Sequence, residues 1–517
     1  MAAESFDFII VGAGSSGCAL AHRLVTSTSA SVLLLEAGPD MLPPMVRDAS
    51  SWPLMLKSEY DWQYRTIPQR QADNREFDWP RGRIIGGCSA MNGMVFLRGA
   101  PADYDEWERL GCRGWGYQSV IEEFRSLETW HLGNSQYRGG SGPLHPRTVA
   151  TAHPLSSALI EAAVECGHRR NPDFNAAEIE GVGWNDLLIK DGRRVDLGTA
   201  LIDPLRSRDT FKVLADTVVT RLLFDQAGSR VRGVEYAVGG KLDTVIADQE
   251  VIVCAGAVAS PRLLLLSGIG PAAELEKLGI SVVADLPGVG KNLHDHLLIG
   301  VVYEAKTPIP AINVNVTEAC LFTRSDPRSP NCDIEISFVH EPMFSPGFHP
   351  PANSYSIIPG IVKPRSRGSV SLASPDPASP VLLDPNYLRE YTDLHCLVKG
   401  IEMAREIGMA PALDDWRLRE VVPGPAANDA AALEQFVRRS VCTWYHPVGT
   451  CKMGIDTDAV VDPELRVRGV AGLRVADASI MPEIVSANTN AASILIGWRG
   501  AGLIASAHGV AGTFPVD

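Results

Sequence analysis

The first residues with chemistry in them are three glycines and an acid. Gly12, Gly14 and Gly17 stand in Gly12-Ala13-Gly14-Ser15-Ser16-Gly17, directly after the apolar run Phe6 to Val11. In such a pattern the first glycine permits a tight turn and the second lets the backbone approach a pyrophosphate. The third lets a helix pack closely on a strand. The helix that follows offers unpaired N–H groups and a partial positive charge to phosphates. Glu36 comes 19 residues after Gly17, at the end of a second apolar run, where a carboxylate accepts hydrogen bonds from both ribose hydroxyls. It would repel a 2′-phosphate. Glycines alone would mark only a turn; with strand, helix and acid in place they predict a dinucleotide site, without separating FAD from NAD.

Other reactive residue types carry less. His294 and His296 have the spacing of a metal pair, but no third ligand cluster accompanies them, so both are expected to be structural and no metal is expected. Ten cysteines are spread along the chain without a CxxC pair, which favours reduced thiols over a disulfide framework. Cys88 and Cys451 are read as small buried residues.

The elements that must position these residues follow from the pattern. Phe6–Val11, a helix to about Val25, and Ser31–Glu36 make a βαβ opening. A glycine-rich loop spans Arg81–Gly99, with helices expected around Ala102–Arg109 and Ser119–Trp130. Phe211–Ala255 reads as successive strands, with Gly239-Gly240 as a hairpin turn. Gly256–Ser267 is expected to be helical. The proline-richer stretch 299–441 reads as separate strands, with helices near Tyr387–Gly408 and Ala431–Val441. Within it Asp333–His340 alternates, so Ile334, Ile336, Phe338 and His340 should share one sheet face. At 517 residues two connected domains are the default, and 45% hydrophobic with 21% charged residues is globular. A net charge of −14 without a basic patch excludes nucleic acid as a partner. No apolar run is long enough for a membrane span. Met1-Ala2-Ala3-Glu4-Ser5 lacks a basic leader region, so a cytoplasmic protein is expected.

Further blocks carry a resemblance. Arg81-Gly82-Arg83-Ile84-Ile85-Gly86-Gly87-Cys88-Ser89-Ala90-Met91-Asn92-Gly93 and Gly256-Ala257-Val258-Ala259-Ser260-Pro261 resemble the two signatures of the glucose–methanol–choline oxidoreductase family. Asn292-Leu293-His294-Asp295-His296, Tyr445-His446-Pro447-Val448-Gly449-Thr450 and Val475-Ala476-Asp477-Ala478-Ser479 are similar to later family blocks, in the same order. One departure lies after Arg193, where Val195-Asp196-Leu197 replaces the small or hydroxylated residues of many members.

The resemblance implies FAD, an α/β FAD-binding (Rossmann-like) domain and an α+β substrate domain whose antiparallel sheet roofs the flavin. Residues 1–150, 196–298 and 447–517 would form the first, and 151–195 and 299–446 the second. It implies that His446 takes the hydroxyl proton of an alcohol as hydride leaves the carbinol carbon for flavin N5, with Asn488 as its hydrogen-bonding partner. Expected cofactor contacts are Gly12, Gly14, Ser15, Ser16, Gly17, Glu36, Ala37, Arg83, Gly86, Gly87, Met91, Asn92, Gly93, Val218, Ala255, Gly256, Asp477, Ala478, Asn488, Thr489 and Asn490. Met91 occupies the position at which some members carry a flavin-linked histidine, so non-covalent FAD is expected, with no nicotinamide. Phe338, His340, Trp444 and Tyr445 are expected to line the substrate pocket, and such aromatics suggest an aromatic or heteroaromatic primary alcohol, with an aliphatic alcohol, amino alcohol or polyol as the alternatives. The electron acceptor is oxygen in an oxidase, or a quinone or other carrier in a dehydrogenase. A hydroxynitrile lyase that keeps FAD without net redox chemistry is the alternative from another class.

Overall fold

Strand β1 (Ser5–Val11) runs into Gly12, whose φ of 103° makes the turn into helix α1 (Ser15–Ser27), and the chain returns as β2 (Val32–Leu35). In this computed structural model residues 4–311, 315–343 and 346–510 are described. The leader expectation on Met1–Ala3 lies outside them. Further strands are β3 (Phe211–Leu214), β4 (Thr217–Phe224), β5 (Val231–Val238) and the long β6 (Lys241–Val253), which leads into helix α2 (Gly256–Leu266). They form a mixed sheet ordered β3-β2-β1-β6-β5-β4. The first four strands are parallel, and β6, β5 and β4 are antiparallel. Between β5 and β6, Val238 pairs with Lys241 across Gly239 and Gly240, both at positive φ, so the expected two-residue turn is present. Phe8–Ile10 and all of β2 are buried, as strands covered on both faces must be.

A second sheet is antiparallel. Its strands are Gly181–Trp184, β7 (Leu297–Leu298), β8 (Val301–Ala305), β9 (Ala319–Thr323), β10 (Ile334–Val339), β11 (Ser354–Ile361), β12 (Arg417–Val422) and β13 (Cys442–Thr443). Their order is β12-β8-β11-β10-β9 and then Gly181–Trp184, with β7 and β13 joined at the end of β11. Helix α3 (Tyr391–Gly408) covers one face; Gly400 permits this, since a Cβ there would meet Pro359 of β11 at 2.7 Å. Helix α4 (Ala430–Ser440) lies beside α3 and shares its core. Ala72, Phe77 and Trp79 also pack into this second core, although they lie in the segment expected to belong with the first.

The chain then returns to the first sheet through β14 (Leu473–Val475), parallel to the end of β6, and closes with helix α5 (Asn490–His508) against α1. The two helices meet at Gly497, where a Cβ would lie 2.0 Å from the Ser16 carbonyl oxygen. The expected helix 119–130 is Tyr117–Leu127, and the one expected from Tyr387 starts at Tyr391. Among the described residues no helix is long and apolar enough to cross a membrane. The ten cysteines are unpaired, and no group of three or more His, Cys, Asp and Glu among the described residues has the arrangement of a metal site.

Candidate active site

A cavity of about 770 Å³ runs from the turn between β1 and α1 to the inner face of the second sheet. Its first end is built by backbone. Glu36 is buried, and its carboxylate accepts hydrogen bonds from Ala13 N at 2.9 Å and Gly38 N at 2.9 Å. Burial pushes this carboxyl up to about 7, against the pull of those amides and of Arg83. A Cβ added at Gly14, Gly93 or Gly256 would meet no protein atom within 4 Å, so these glycines leave a cradle that side chains would fill. On the far wall Asp477 accepts from Gly256 N at 2.9 Å and Ser260 Oγ at 2.5 Å. Buried Arg194 holds the loop beneath, donating to Ser89 O at 3.2 Å and to Asn92 Oδ1 at 3.0 Å. The departing segment 195–197 is anchored there as well, through Leu197 N to Ser89 Oγ at 3.0 Å.

The other end is built around His446. Its backbone N–H donates to Asp295 Oδ1 at 2.7 Å, and Asp295 Oδ2 accepts from Thr443 Oγ1 at 2.6 Å and Tyr387 Oη at 2.5 Å. Tyr387 Oη is itself held by Trp79 Nε1 at 2.9 Å. His296 Nδ1 lies 3.0 Å from His446 Nδ1, and His296 Nε2 lies 3.1 Å from the carbonyl oxygen of Val362. A carbonyl only accepts, so Nε2 of His296 carries the proton. Burial pushes His296 down to about 3, so the ring is neutral and its Nδ1 is an acceptor. His446 Nδ1 must then donate. His446 Nε2 is consequently bare, and it accepts from Asn488 Nδ2 at 3.3 Å. Burial first, then His296 and Arg81, hold His446 well below the usual histidine range, so it stands neutral at physiological pH.

The entry to α5 sorts the neighbouring amides. Thr489 is already helical in backbone conformation, and α5 begins at Asn490. Asn488 therefore reaches His446, while Asn490 Oδ1 turns to α1 and accepts from Ser15 Oγ at 2.6 Å. Asn488 Oδ1 is buried with no hydrogen-bond partner.

Most residues expected at the site line this one cavity. They are Gly12, Gly14, Ser15, Ser16, Glu36, Ala37, Gly87, Met91, Asn92, Gly93, Val218, Ala255, Gly256, Asp477, Ala478, Asn488, Thr489, Asn490, Trp444, Tyr445 and His446. Gly17, Arg83 and Gly86 stand behind the wall. A Cβ on Gly17 would lie 1.9 Å from Gly12 O, so this glycine packs helix on strand. Gly86 N donates to Ala13 O at 2.8 Å, and the Arg83 guanidinium covers Trp62.

Phe338 and His340 do not line the cavity. They alternate with Ile334 and Ile336 as expected, but that face is turned away from the cavity into the core under α3 and its neighbours. His340 Nε2 lies 2.5 Å from Ser156 Oγ, and its ring stacks on His153 at 4.0 Å. The cavity receives the opposite parity, Glu335, Ser337 and Val339. Sequence reasoning also missed His296 as the partner of His446. His294 has only structural contacts, with Nδ1 on Asn292 O at 2.6 Å and Nε2 accepting from Ile484 N at 2.9 Å.

GMC oxidoreductase models match residues 6–298 and 364–497. The chain belongs to the GMC oxidoreductase family. It is 39% identical to the human mitochondrial choline dehydrogenase, over 97% of this chain and 90% of that one. It is 36% identical to an alcohol dehydrogenase [acceptor] of Pseudomonas putida, covering 96% and 95% of the two chains. The solved pyridoxine 4-oxidase from Mesorbium loti superposes with a TM-score of 0.93 at 38% identity, covering 96% and 98%. As a GMC oxidoreductase the chain is an FAD-dependent enzyme acting on CH–OH donors. The open glycine cradle, the buried Glu36 beside Ala13 and the unpaired Asn488 Oδ1 fit the dinucleotide and ring ends of that cofactor.

Proposed function

We propose that this GMC oxidoreductase oxidises a primary alcohol to the aldehyde, with His446 as the base and Asn488 orienting the hydroxyl. The observation that carries the reading is a neutral His446 whose unprotonated Nε2 meets Asn488 at the cavity wall. Bound FAD supplies the hydride acceptor. The Rossmann-like first sheet, with the described residues of segments 1–150, 196–298 and 447–517 apart from Ala72, Phe77, Trp79 and β7, which join the second, holds it through Ala13, Gly14, Glu36 and the Asp477–Gly256 pair. The second sheet, with 151–195 and 299–446, roofs the substrate. His446 Nε2 takes the hydroxyl proton, a contribution of about 10²–10⁴ in rate. The charge that forms stays on its ring, stabilised by the hydrogen bond that Nδ1–H donates to neutral His296. Asn488 does not exchange protons near neutral pH, so it binds and orients only.

Trp62, Tyr64, Trp444 and Tyr445 on the cavity wall favour an aromatic or heteroaromatic alcohol. Ten unpaired thiols suit a cytoplasmic setting. The test is anaerobic mixing of holoenzyme with a panel of alcohols. Flavin bleaching with aldehyde formation, lost in His446→Ala with FAD still bound, is the expected result. Product without bleaching would instead make the protein a lyase. Peroxide or dye reduction on reoxidation then assigns oxygen or a carrier as acceptor.

A further inference from the structure

The cavity wall contains a buried carboxyl that this chemistry does not use. On β10 the side chains of Ile334, Ile336 and Phe338 enter the core, and Glu335, Ser337 and Val339 face the cavity. Glu335 is only 2% exposed and is the second residue of β10. Its Oε1 accepts from Ser337 Oγ at 3.1 Å, and its Oε2 is buried with no partner at all. Burial raises this carboxyl to about 8; the Ser337 hydroxyl opposes that rise, and no cationic side chain contributes. A buried carboxyl with an open oxygen is costly, and one that lines a cavity finds its missing partner in a ligand.

Its place in the sheet fixes what that ligand spans. Glu335 pairs with Gly360 on β11. Gly360 lies directly under the Trp444 ring, because a Cβ there would approach Trp444 Cζ3 to 2.2 Å. Trp444 in turn stacks on His446, with centroids 5.9 Å apart and planes 16° from parallel. Carboxyl, indole and base thus follow one another along one wall. One strand spacing plus one stacking distance separates the first from the last, on the order of 10 Å. A small ring alcohol bridges that span, with its hydroxyl at one end and a second polar group at the other. A cation held beside the aromatic faces would supply the counter-charge this carboxyl lacks and release its proton to solvent, and the chain's net charge of −14 draws one in.

We propose that Glu335 is a substrate-recognition residue that binds a basic nitrogen, so that the alcohol oxidised at His446 carries an amine or a protonatable ring nitrogen. This rests on the reading of the cavity as an alcohol-oxidising site.

Two probes of matched shape test it on the holoenzyme, 4-(aminomethyl)benzyl alcohol and 4-ethylbenzyl alcohol. Wild type is expected to favour the amine by at least tenfold in kcat/KM for flavin reduction, and Glu335→Gln to cut that ratio at least fivefold. Equilibrium dialysis of the amino alcohol, which needs no turnover, should show at least a fivefold weaker Kd in the variant. A smaller change in ratio or Kd, or an equal loss on both probes, overturns the assignment. Should Glu335→Gln fail to fold, the wild-type preference alone decides, and a preference for the neutral probe sinks the idea. If neither alcohol reduces the flavin, the alcohol-oxidation reading fails, while the dialysis Kd still judges Glu335.

Discussion

His296→Ala tests the step by which His446 would become the proposed base. The substitution removes the acceptor of the His446 Nδ1 proton and the donor to the Val362 carbonyl. Leaving a buried N–H unpaired costs about 1–3 kcal/mol. In this geometry the cost falls on the one tautomer with a bare Nε2. If that energy is lost from the reactive form, flavin reduction slows about 5- to 150-fold, at about 1.4 kcal/mol per decade. The assay is anaerobic stopped-flow at saturating alcohol, with FAD occupancy read from the spectrum and melting temperature followed in parallel. A merely structural histidine would lower the melting temperature and leave the reduction rate of intact holoenzyme untouched. The decisive arm is a double-mutant cycle. In a His446→Ala background, His296→Ala should change reduction less than twofold, because His296 acts only through His446. Equal slowing in both backgrounds, or reduction at the wild-type rate in the single variant, would refute the tautomer argument.

Four further outcomes are expected. Asn488→Ala should slow reduction by one to two orders of magnitude, about 1.4–3 kcal/mol as expected for a lost orienting hydrogen bond. Asn490→Ala, which frees Ser15, should chiefly lower FAD occupancy, and the reverse pattern would exchange the two roles. Acid precipitation should release all the flavin into the supernatant, because Met91 offers no attachment atom; flavin left in the pellet would contradict this. Glu36 is raised to about 7 in the protein from 4.5. Its ionisation therefore destabilises the fold, and its contribution is full below pH ~4.5 and lost as pH rises to ~7, an upper bound of about 3 kcal/mol. The gain in apoprotein melting temperature between pH 7.5 and 5.5 should be smaller in Glu36→Gln, and an identical gain would remove Glu36 as the source.

How much of this was legible depended on whether local spacing or the surroundings fixed a residue. Gly12, Gly14, Gly17 and Glu36 act through a turn, a helix start and a strand end, all of which are local, so sequence alone placed them. The turn at Gly239-Gly240 is local in the same sense. His294 and His296 share spacing and burial, yet one bonds a loop carbonyl and the other bonds His446 150 residues away. No local pattern separates them. The family blocks pointed at His446 because they carry its whole neighbourhood, and they pass over Tyr387 and Trp79, which steady Asp295 from outside any block.

The inverted face of β10 has a more general cause. Its alternation was read correctly, but alternation gives two faces without saying which meets the cavity. Choosing Phe338 and His340 assumed that aromatic residues line pockets. In this sheet both faces are covered, so the large apolar side chains go where helices can pack on them, and Phe338 is fully buried in that core. The polar parity, Glu335 and Ser337, is left on the side where protein packing is incomplete. Burying those groups against apolar protein would cost free energy with nothing to offset it, whereas a cavity allows a ligand to supply the missing partner. For a strand buried on both sides, the face with unsatisfied polar atoms is therefore the better guide to the site. On β10 that face presents Glu335 Oε2, which is buried without a hydrogen-bond partner in the protein and is the atom to which the proposed recognition assigns the substrate's basic nitrogen.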